Sequence, residues 1–142
     1  MMSIAQTYLE DAKAFEDTYE DNHWTRVEPY FAADAEYLPG DGRTIQGREA
    51  ISSHFNESVD GLDRRFDSRI LEHFGEPSVN GNQTSIPWEL TLKKDGAPNL
   101  VLKGTGNATF EGNLISRLED VFDDGVVASL QEWMGKHAQM LA

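Results

Sequence analysis

One carboxylate in the sequence stands where a packed strand should carry an apolar side chain. Residues 114–124, LISRLEDVFDD, alternate with a period of two, which is typical of a half-buried strand. This pattern places Asp120 on one face with Leu114, Ser116, Leu118 and Phe122. A carboxyl group held in an apolar cavity can act as a general acid or base, because burial moves its pKa toward neutrality. The alternative is a structural carboxylate that accepts hydrogen bonds from a backbone amide, a tyrosine or an arginine.

Other kinds of reactive site have little support in the sequence. The four histidines lack the spacing of a zinc motif such as His-Glu-x-x-His, and no Gly-x-Ser-x-Gly segment indicates a serine hydrolase. The segment KGTGNA lacks the third glycine of a dinucleotide-binding loop. His54 beside Phe55 is either a base in a pocket or an exposed or capping histidine. We therefore expect no metal ion and no cofactor.

Composition and charge limit the partners. The chain of 142 residues has the length of one ordinary domain, so we treat residues 1–142 as a single domain. It contains no cysteine, which excludes disulfide and thiolate chemistry. The net charge of −13 without a basic stripe argues against nucleic acid and against an anionic membrane surface. The N-terminal segment has no basic region and no uninterrupted apolar run, so the sequence predicts a soluble, cytoplasmic protein.

The elements that must position Asp120 follow from hydrophobic periodicity. Helical spacing predicts helices over about residues 3–21, 48–59 and 125–141, and a short helix with the stripe Trp24, Val27 and Phe31 and Asn22 as its N-cap. Period-two segments predict short strands at AEYLP and RTIQG and long strands over about residues 64–74, 83–94, 100–110 and 114–122. This order is typical of an α+β fold in which helices cover one face of a curved antiparallel sheet.

Two blocks of the sequence together match a known pattern. RVEPYFAADAEYLPGDGRTIQGREAISSHF contains a short helix, a Phe-Ala-x-Asp-Ala motif, a strand and a Gly-Arg-x-Ala-Ile helix start, and LKGTGNATFEGNLISRLEDVFDD contains a closing hairpin. They resemble the nuclear transport factor 2-like (NTF2-like) superfamily, especially its SnoaL-like and ketosteroid-isomerase-like members. The resemblance implies a single SnoaL-like domain with a cone-shaped sheet, an apolar cavity beneath the helices and often a dimer through the outer sheet face. This scaffold hosts isomerases, cyclases, dehydratases, epoxide hydrolases and pure binding proteins.

The implied cavity gives the apolar stripes of the sequence a second interpretation. The side chains expected to bind a ligand are Phe15, Tyr19, Trp24, Phe31, Leu38, Phe55, Leu118 and Phe122. Ordinary core packing is the alternative for each of them, because aromatic stripes at helical spacing usually belong to a core. The expected partner is a small apolar molecule.

Classical ketosteroid isomerase chemistry does not fit the sequence. The resemblance places Leu38 where those enzymes carry their carboxylate base, Phe15 where they carry a tyrosine, and Gly106 near their second acid. All three differences remove groups that transfer a proton or donate a hydrogen bond.

Limonene-type epoxide hydrolases are similar to this chain in part of their site. Their hairpin acid matches Asp120, a tyrosine that holds the water matches Tyr37, and a count without gaps places their second acid at Glu89. The arginine between their two acids is missing here, and Pro39 replaces an asparagine. Two carboxyl groups in a dry cavity are useful because one can stay neutral while the other ionises. The resemblance thus implies Asp120, Glu89 and Tyr37 as catalytic residues.

The position of Glu89 conflicts with simple alternation. In SIPWELTL, the apolar residues Ile86, Trp88, Leu90 and Leu92 alternate with Glu89, so the pattern alone buries Trp88 and exposes Glu89. The resemblance requires the reverse, with Trp88 and Leu90 covered by a second subunit at the outer sheet face, and therefore a homodimer.

The sequence leaves two classes of function open. The first is a cofactor-free hydrolase, isomerase or cyclase that uses acid/base carboxylates on an apolar substrate. The second is a non-catalytic protein of the same fold that binds or carries a small ligand.

Overall fold

Helices and strands lie close to where the periodicity predicts them. The computed structural model describes residues 3–141, in which three α-helices accompany a seven-stranded sheet. The α-helices are α1 (Ile4–Asp21), α2 (Arg48–Gly61) and α3 (Val126–His137), and short 3₁₀ helices cover Trp24–Tyr30, Asp63–Arg65 and Ala138–Leu141. The strands are β1 (Phe31–Leu38), β2 (Ile45–Gln46), β3 (Ser68–His73), β4 (Ser78–Asn80), β5 (Gln83–Lys93), β6 (Leu100–Glu111) and β7 (Leu114–Phe122). None of the helices in residues 3–141 is long and apolar enough to cross a membrane.

The sheet is mixed rather than wholly antiparallel. Its strands follow the order β2-β1-β7-β6-β5-β3, and β4 pairs with β5 within a segment that the sequence pattern assigns to a turn. Strands β1 and β7 are parallel, with Tyr37 opposite Leu118, whereas the other ladders are antiparallel. Local periodicity predicts strands but not their partners, so the parallel pair was missed. This pair brings Tyr37 close to Asp120.

A bulge in β7 resets the alternation on which the prediction for Asp120 depends. The pairing of β6 with β7 shifts between Thr109 and Phe110, and Ser116 donates a hydrogen bond of 3.1 Å to the carbonyl of Thr109. As a result Ile115 is fully buried and Leu114 is 41% exposed, so the prediction that Leu114 faces the core is wrong. Beyond the bulge the alternation resumes with Leu118 on the inner face.

The segment after α1 differs from its prediction in one capping residue. Asn22 adopts a left-handed conformation with φ of 66° and ends α1, so it is not the N-cap of the following helix. Its Oδ1 accepts a hydrogen bond of 2.8 Å from the indole N–H of Trp24. The next turn is 3₁₀-helical and contains Pro29, and Phe31 already begins β1.

Two clusters of buried side chains make up the core. The first packs α1, α2 and the 3₁₀ helix at Trp24–Tyr30 against the sheet, with Val27, Phe31 and Ile51 almost fully buried. The second lies beneath α3 around Trp133, whose indole N–H donates a hydrogen bond of 2.8 Å to the carbonyl of Pro98. Side chains of both clusters border the cavity described next.

Candidate functional site

A cavity of about 290 Å³ lies between α1, α2, α3 and the inner face of the sheet. Its apolar walls include Phe15, Phe55, Leu71, Leu90, Leu102, Leu118, Phe122 and Leu130. Its polar lining groups are Tyr8, Asp11, Tyr37, His54, Ser58, Asp63, Arg69, His73, Trp88 and Asp120. This volume is close to the lower limit of the range for small-molecule sites, about 300–1,000 Å³.

Asp120 faces this cavity and is held by a tyrosine. The hydroxyl of Tyr37 in β1 donates a hydrogen bond of 2.6 Å to Oδ2 of Asp120 in β7. Burial raises the pKa of Asp120 to about 6, and the hydrogen bond from Tyr37 opposes part of that rise. Burial, followed by the nearby charge of Asp120, raises the pKa of Tyr37 well above its ordinary value, so the phenol stays protonated as a donor. The arrangement leaves a carboxyl group that titrates near neutrality at the cavity wall.

A second carboxyl group enters the cavity from α1. Asp11 is only 7% exposed, and its Oδ1 has no hydrogen-bond partner. Burial, followed by the charge of Asp120, raises the pKa of Asp11 to about 8. Asp11 is not among the site residues predicted from the sequence, although it lies three residues after Tyr8 and four before Phe15, at the spacing of the inner helix face. A carboxylate on the otherwise apolar inner face of a helix is the signal that could have identified Asp11 as a site residue.

A glycine lets α1 approach the sheet next to Asp120. Gly106 pairs with Asp120 across β6 and β7, and a methyl group at Gly106 would collide with the hydroxyl of Tyr8 and lie 3.7 Å from Oδ1 of Asp120. The hydroxyl of Tyr8 therefore occupies space that any other residue at this position would fill. Burial, then the charges of Asp120 and Asp11, raise the pKa of Tyr8.

Glu89 lies on the other face of the sheet. Trp88 and Leu90 line the cavity, and Oε1 of Glu89 is instead 3.4 Å from the ammonium group of Lys103. The prediction that Glu89 faces the cavity is therefore wrong, because alternation along β5 allows only one of two neighbouring residues to point inward. The indole N–H of Trp88 is buried next to Asp120 and lowers the pKa of that carboxyl group, although it makes no hydrogen bond of full geometry.

The predicted ligand-binding residues divide into two groups. Phe15, Phe55, Leu118 and Phe122 line the cavity, whereas Tyr19, Trp24, Phe31 and Leu38 do not. Phe31 and Trp24 are buried in the first core cluster, and the guanidinium group of Arg69 lies 4.9 Å from the ring centre of Tyr19. Leu38 follows Tyr37 in β1, and since Tyr37 points inward, Leu38 points to the opposite face.

An ion-pair cluster around the buried side chain of Arg69 borders another part of the cavity. Arg69, with a side chain only 5% exposed, donates hydrogen bonds of 2.6 Å to Asp63 and of 2.6 Å to Glu16. The positive charge of Arg69 is therefore already paired with two acids.

The two histidines of the cavity lie on α2 and β3. Burial lowers the pKa of His54 and of His73, which favours the neutral form of both imidazoles. Within residues 3–141, no cluster of three or more His, Asp or Glu side chains is arranged to hold a metal ion.

The comparisons with known proteins concern the fold. No family model matches the sequence, and none of the curated proteins matches it. A candidate SnoaL-like polyketide cyclase from Jannaschia sp. CCS1 superimposes with a TM-score of 0.72 over 96% of both chains at 11% identity. A protein of ketosteroid isomerase-like fold from Catenulispora acidiphila, in complex with trimethylamine, has a TM-score of 0.63 at 20% identity over 83% of this chain and 88% of its own.

A third similar structure is TerC co-crystallised with polyporic acid. It has a TM-score of 0.68 at 15% identity over 92% of this chain and 99% of its own. These similarities confirm the predicted NTF2-like α+β fold. At identities of 20% or less they show the fold alone.

Proposed function

We propose that the cavity binds a small, largely apolar molecule and that Asp120 transfers a proton to or from it without a cofactor. The observation that carries this proposal is the 2.6 Å hydrogen bond that fixes Asp120 at the cavity wall through Tyr37. A carboxyl group satisfied on one oxygen by a neutral phenol keeps its other oxygen available to a ligand. Its pKa of about 6 is close to neutrality, which suits a group that must both accept and release a proton.

Asp11 replaces Glu89 as the second carboxyl group of the proposed mechanism. With a pKa of about 8, Asp11 is mostly protonated at pH 7, whereas Asp120 is mostly ionised. The ionised acid can remove a proton from carbon or from water, and the neutral acid can protonate an oxygen. Tyr37 positions the base and does not need to ionise.

The structural neighbours support a ligand-binding cavity without naming its ligand. Proteins of this fold are seen with polyporic acid and with trimethylamine, and another is named as a candidate polyketide cyclase. These molecules differ in size and charge, so they support binding of a small molecule and not one substrate. Hydrolase, isomerase and cyclase reactions all remain within the proposal.

The proposal is tested by comparing two acid-to-amide variants in the same screen of epoxides, enones and 1,3-diketones. Asp120→Asn should lower turnover by about 100-fold or more, as expected for loss of a general base, and should leave binding of these uncharged compounds nearly unchanged. Glu89→Gln is the matched control and should leave turnover unchanged, because Glu89 lies outside the cavity.

Three results would count against catalysis at Asp120. The first is equal activity of Asp120→Asn and the native protein. The second is loss of activity in Glu89→Gln alone. The third is binding without turnover across the whole screen, which would assign the protein to the alternative class of non-catalytic carriers.

A homodimer and a cytoplasmic location stay predictions. The dimer was inferred from an apolar stripe of Trp88 and Leu90 on the outer sheet face. Both residues face the cavity instead, so they no longer support a dimer. At this place the outer face carries Glu89 and Lys103 instead. Light scattering of the purified protein would measure the oligomeric state directly.

A further inference from the structure

We propose that the ligand of this cavity is a small organic cation, an ammonium group with apolar substituents, bound between the carboxyl groups of Asp11 and Asp120 and the surrounding aromatic rings. This inference rests on the proposed function, since it names the class of molecule that the cavity would bind. It follows from three properties of the site: unpartnered carboxyl oxygen, missing positive charge and aromatic walls.

The first property is an acid that lacks a partner within the protein. Asp11 is more than nine-tenths buried, lines the cavity and has no hydrogen-bond partner for Oδ1. A buried carboxyl oxygen without a partner costs free energy that a ligand can recover by supplying one. Asp120 interacts electrostatically with Asp11, and the groups that donate toward it, the phenol of Tyr37 and the indole of Trp88, are both neutral.

The second property is the absence of a compensating cation in the lining. Arg69 is the one Arg or Lys side chain among the residues that border the cavity, and it is paired with Asp63 and Glu16. Burial lowers the pKa values of the neighbouring imidazoles, His54 and His73, and so favours their uncharged forms. The charge of an ionised Asp120 is therefore not balanced inside the cavity. Removing a charge from water costs far more when no opposite charge accompanies it.

The third property is the aromatic surface around the two acids. Tyr37 and Phe15 each contact Phe55 edge-on, with ring centres 5.1 Å apart, and Trp88 contacts Phe122 edge-on at 5.8 Å. The faces of such rings attract ammonium groups, and aromatic cages are a common way to recognise methylated amines.

A cation of the protein itself already lies against an aromatic ring of this cavity. The guanidinium group of Arg69 lies 5.5 Å from the ring centre of Phe15, which lines the cavity. The net charge of −13 would also raise the local concentration of cations near the site.

An anionic or carbonyl ligand is the competing class. The indole N–H of Trp88 is buried next to Asp120 without a hydrogen bond of full geometry, and it could donate to a ligand oxygen instead. The ionised Asp120 outweighs this donor. An unpaired neutral N–H costs about 1–3 kcal/mol, whereas an unpaired buried charge costs considerably more.

The test compares three probes of nearly the same shape and different charge. They are choline, its neutral analogue 3,3-dimethyl-1-butanol, and the anion 3,3-dimethylbutanoate. Isothermal titration calorimetry at pH 7.5 measures their binding to the full chain. We expect choline to bind about tenfold or more tightly than the neutral alcohol, as a desolvated cation–π and carboxylate site predicts, and the anion to bind most weakly.

Variants connect this preference to the two acids. Asp11→Asn and Asp120→Asn should each reduce the ratio of choline affinity to alcohol affinity by about fivefold or more. Asp17→Asn is the control, because Asp17 lies on the same helix and removes the same charge, yet is 51% exposed at its side chain. This control should keep the native ratio, which separates a local effect from that of the overall charge.

The outcomes distinguish failure of this inference from failure of the proposed function. If the alcohol or the anion binds as well as choline, the cation inference is overturned and the small-molecule cavity remains. If the variants bind choline like the native protein, the acids are not the recognition groups, and the inference again fails. If none of the three probes binds, the proposed binding function itself fails for molecules of this size.

Discussion

Replacing Asp11 with Asn should stabilise the protein at neutral and alkaline pH. In the folded protein the pKa of Asp11 is raised to about 8, whereas its ordinary value is 3.8. Between these two values the folded state binds a proton that the unfolded state has lost, so this group's contribution to stability falls as the pH rises. That contribution is fully present below pH 3.8 and is lost as the pH passes through about 8. Asparagine has a similar shape and cannot ionise. The variant should therefore not lose this stability as the pH rises.

The size of the effect follows from the raised pKa. Each pH unit between the two pKa values corresponds to about 1.4 kcal/mol, and pH 7 lies about three units above the ordinary value. This gives an upper bound of about 4 kcal/mol at pH 7. Because relaxation and water penetration generally reduce the penalty of a buried charge, we expect roughly 2 kcal/mol or more.

Urea unfolding measured at pH 5 and pH 8 tests this prediction. The free energy of unfolding of Asp11→Asn minus that of the native protein should be larger at pH 8 than at pH 5 by about 2–4 kcal/mol. Asp17→Asn, which alters an exposed carboxylate on α1, should show nearly the same small difference at both pH values. An Asp11→Asn variant with no pH-dependent gain, or one less stable than the native protein at pH 8, would refute the burial of a neutral Asp11.

Two further substitutions test the contacts around Asp120. Tyr37→Phe removes the hydrogen bond that lowers the pKa of Asp120, so a ¹³C NMR titration of that carboxyl group should move upward by about one pH unit or more, and an unchanged titration would contradict the contact. Gly106→Ala places a methyl group against the hydroxyl of Tyr8 and should lower the free energy of unfolding by about 1–3 kcal/mol. Gly61→Ala, whose added methyl group meets no atom beyond its own helix within 4 Å, is its control, and an equal loss in both variants would contradict a close approach at Gly106.

Much of the architecture could be predicted because its signals are local. The first helix was predicted over residues 3–21 and spans Ile4–Asp21, and the hairpin of β6 and β7 lies where the alternation placed it. A side chain's period along the chain depends on its own backbone conformation, so it is visible without knowledge of distant residues. Alternation also predicted that Trp88 points inward, where the match to epoxide hydrolases placed Glu89.

Features that depend on two distant segments could not be predicted in this way. The bulge at Ser116 arises from the pairing of β6 with β7, and it exchanged the orientations of Leu114 and Ile115. The parallel pairing of β1 with β7 depends on how the sheet is ordered, and neither strand carries a local signal for its neighbour.

The candidate site also combines a feature with a local signal and features that depend on distant segments. The sequence alone determined that Asp120 lies on the inner face of its strand, because the period of two fixes a face. Only the tertiary structure decided which groups meet it: Tyr37 from the parallel neighbour, and Tyr8 and Asp11 from a helix seated above Gly106. A periodic pattern gives the direction of a side chain but not the distance to residues across a cavity, and the pKa of a carboxyl group depends on those distances.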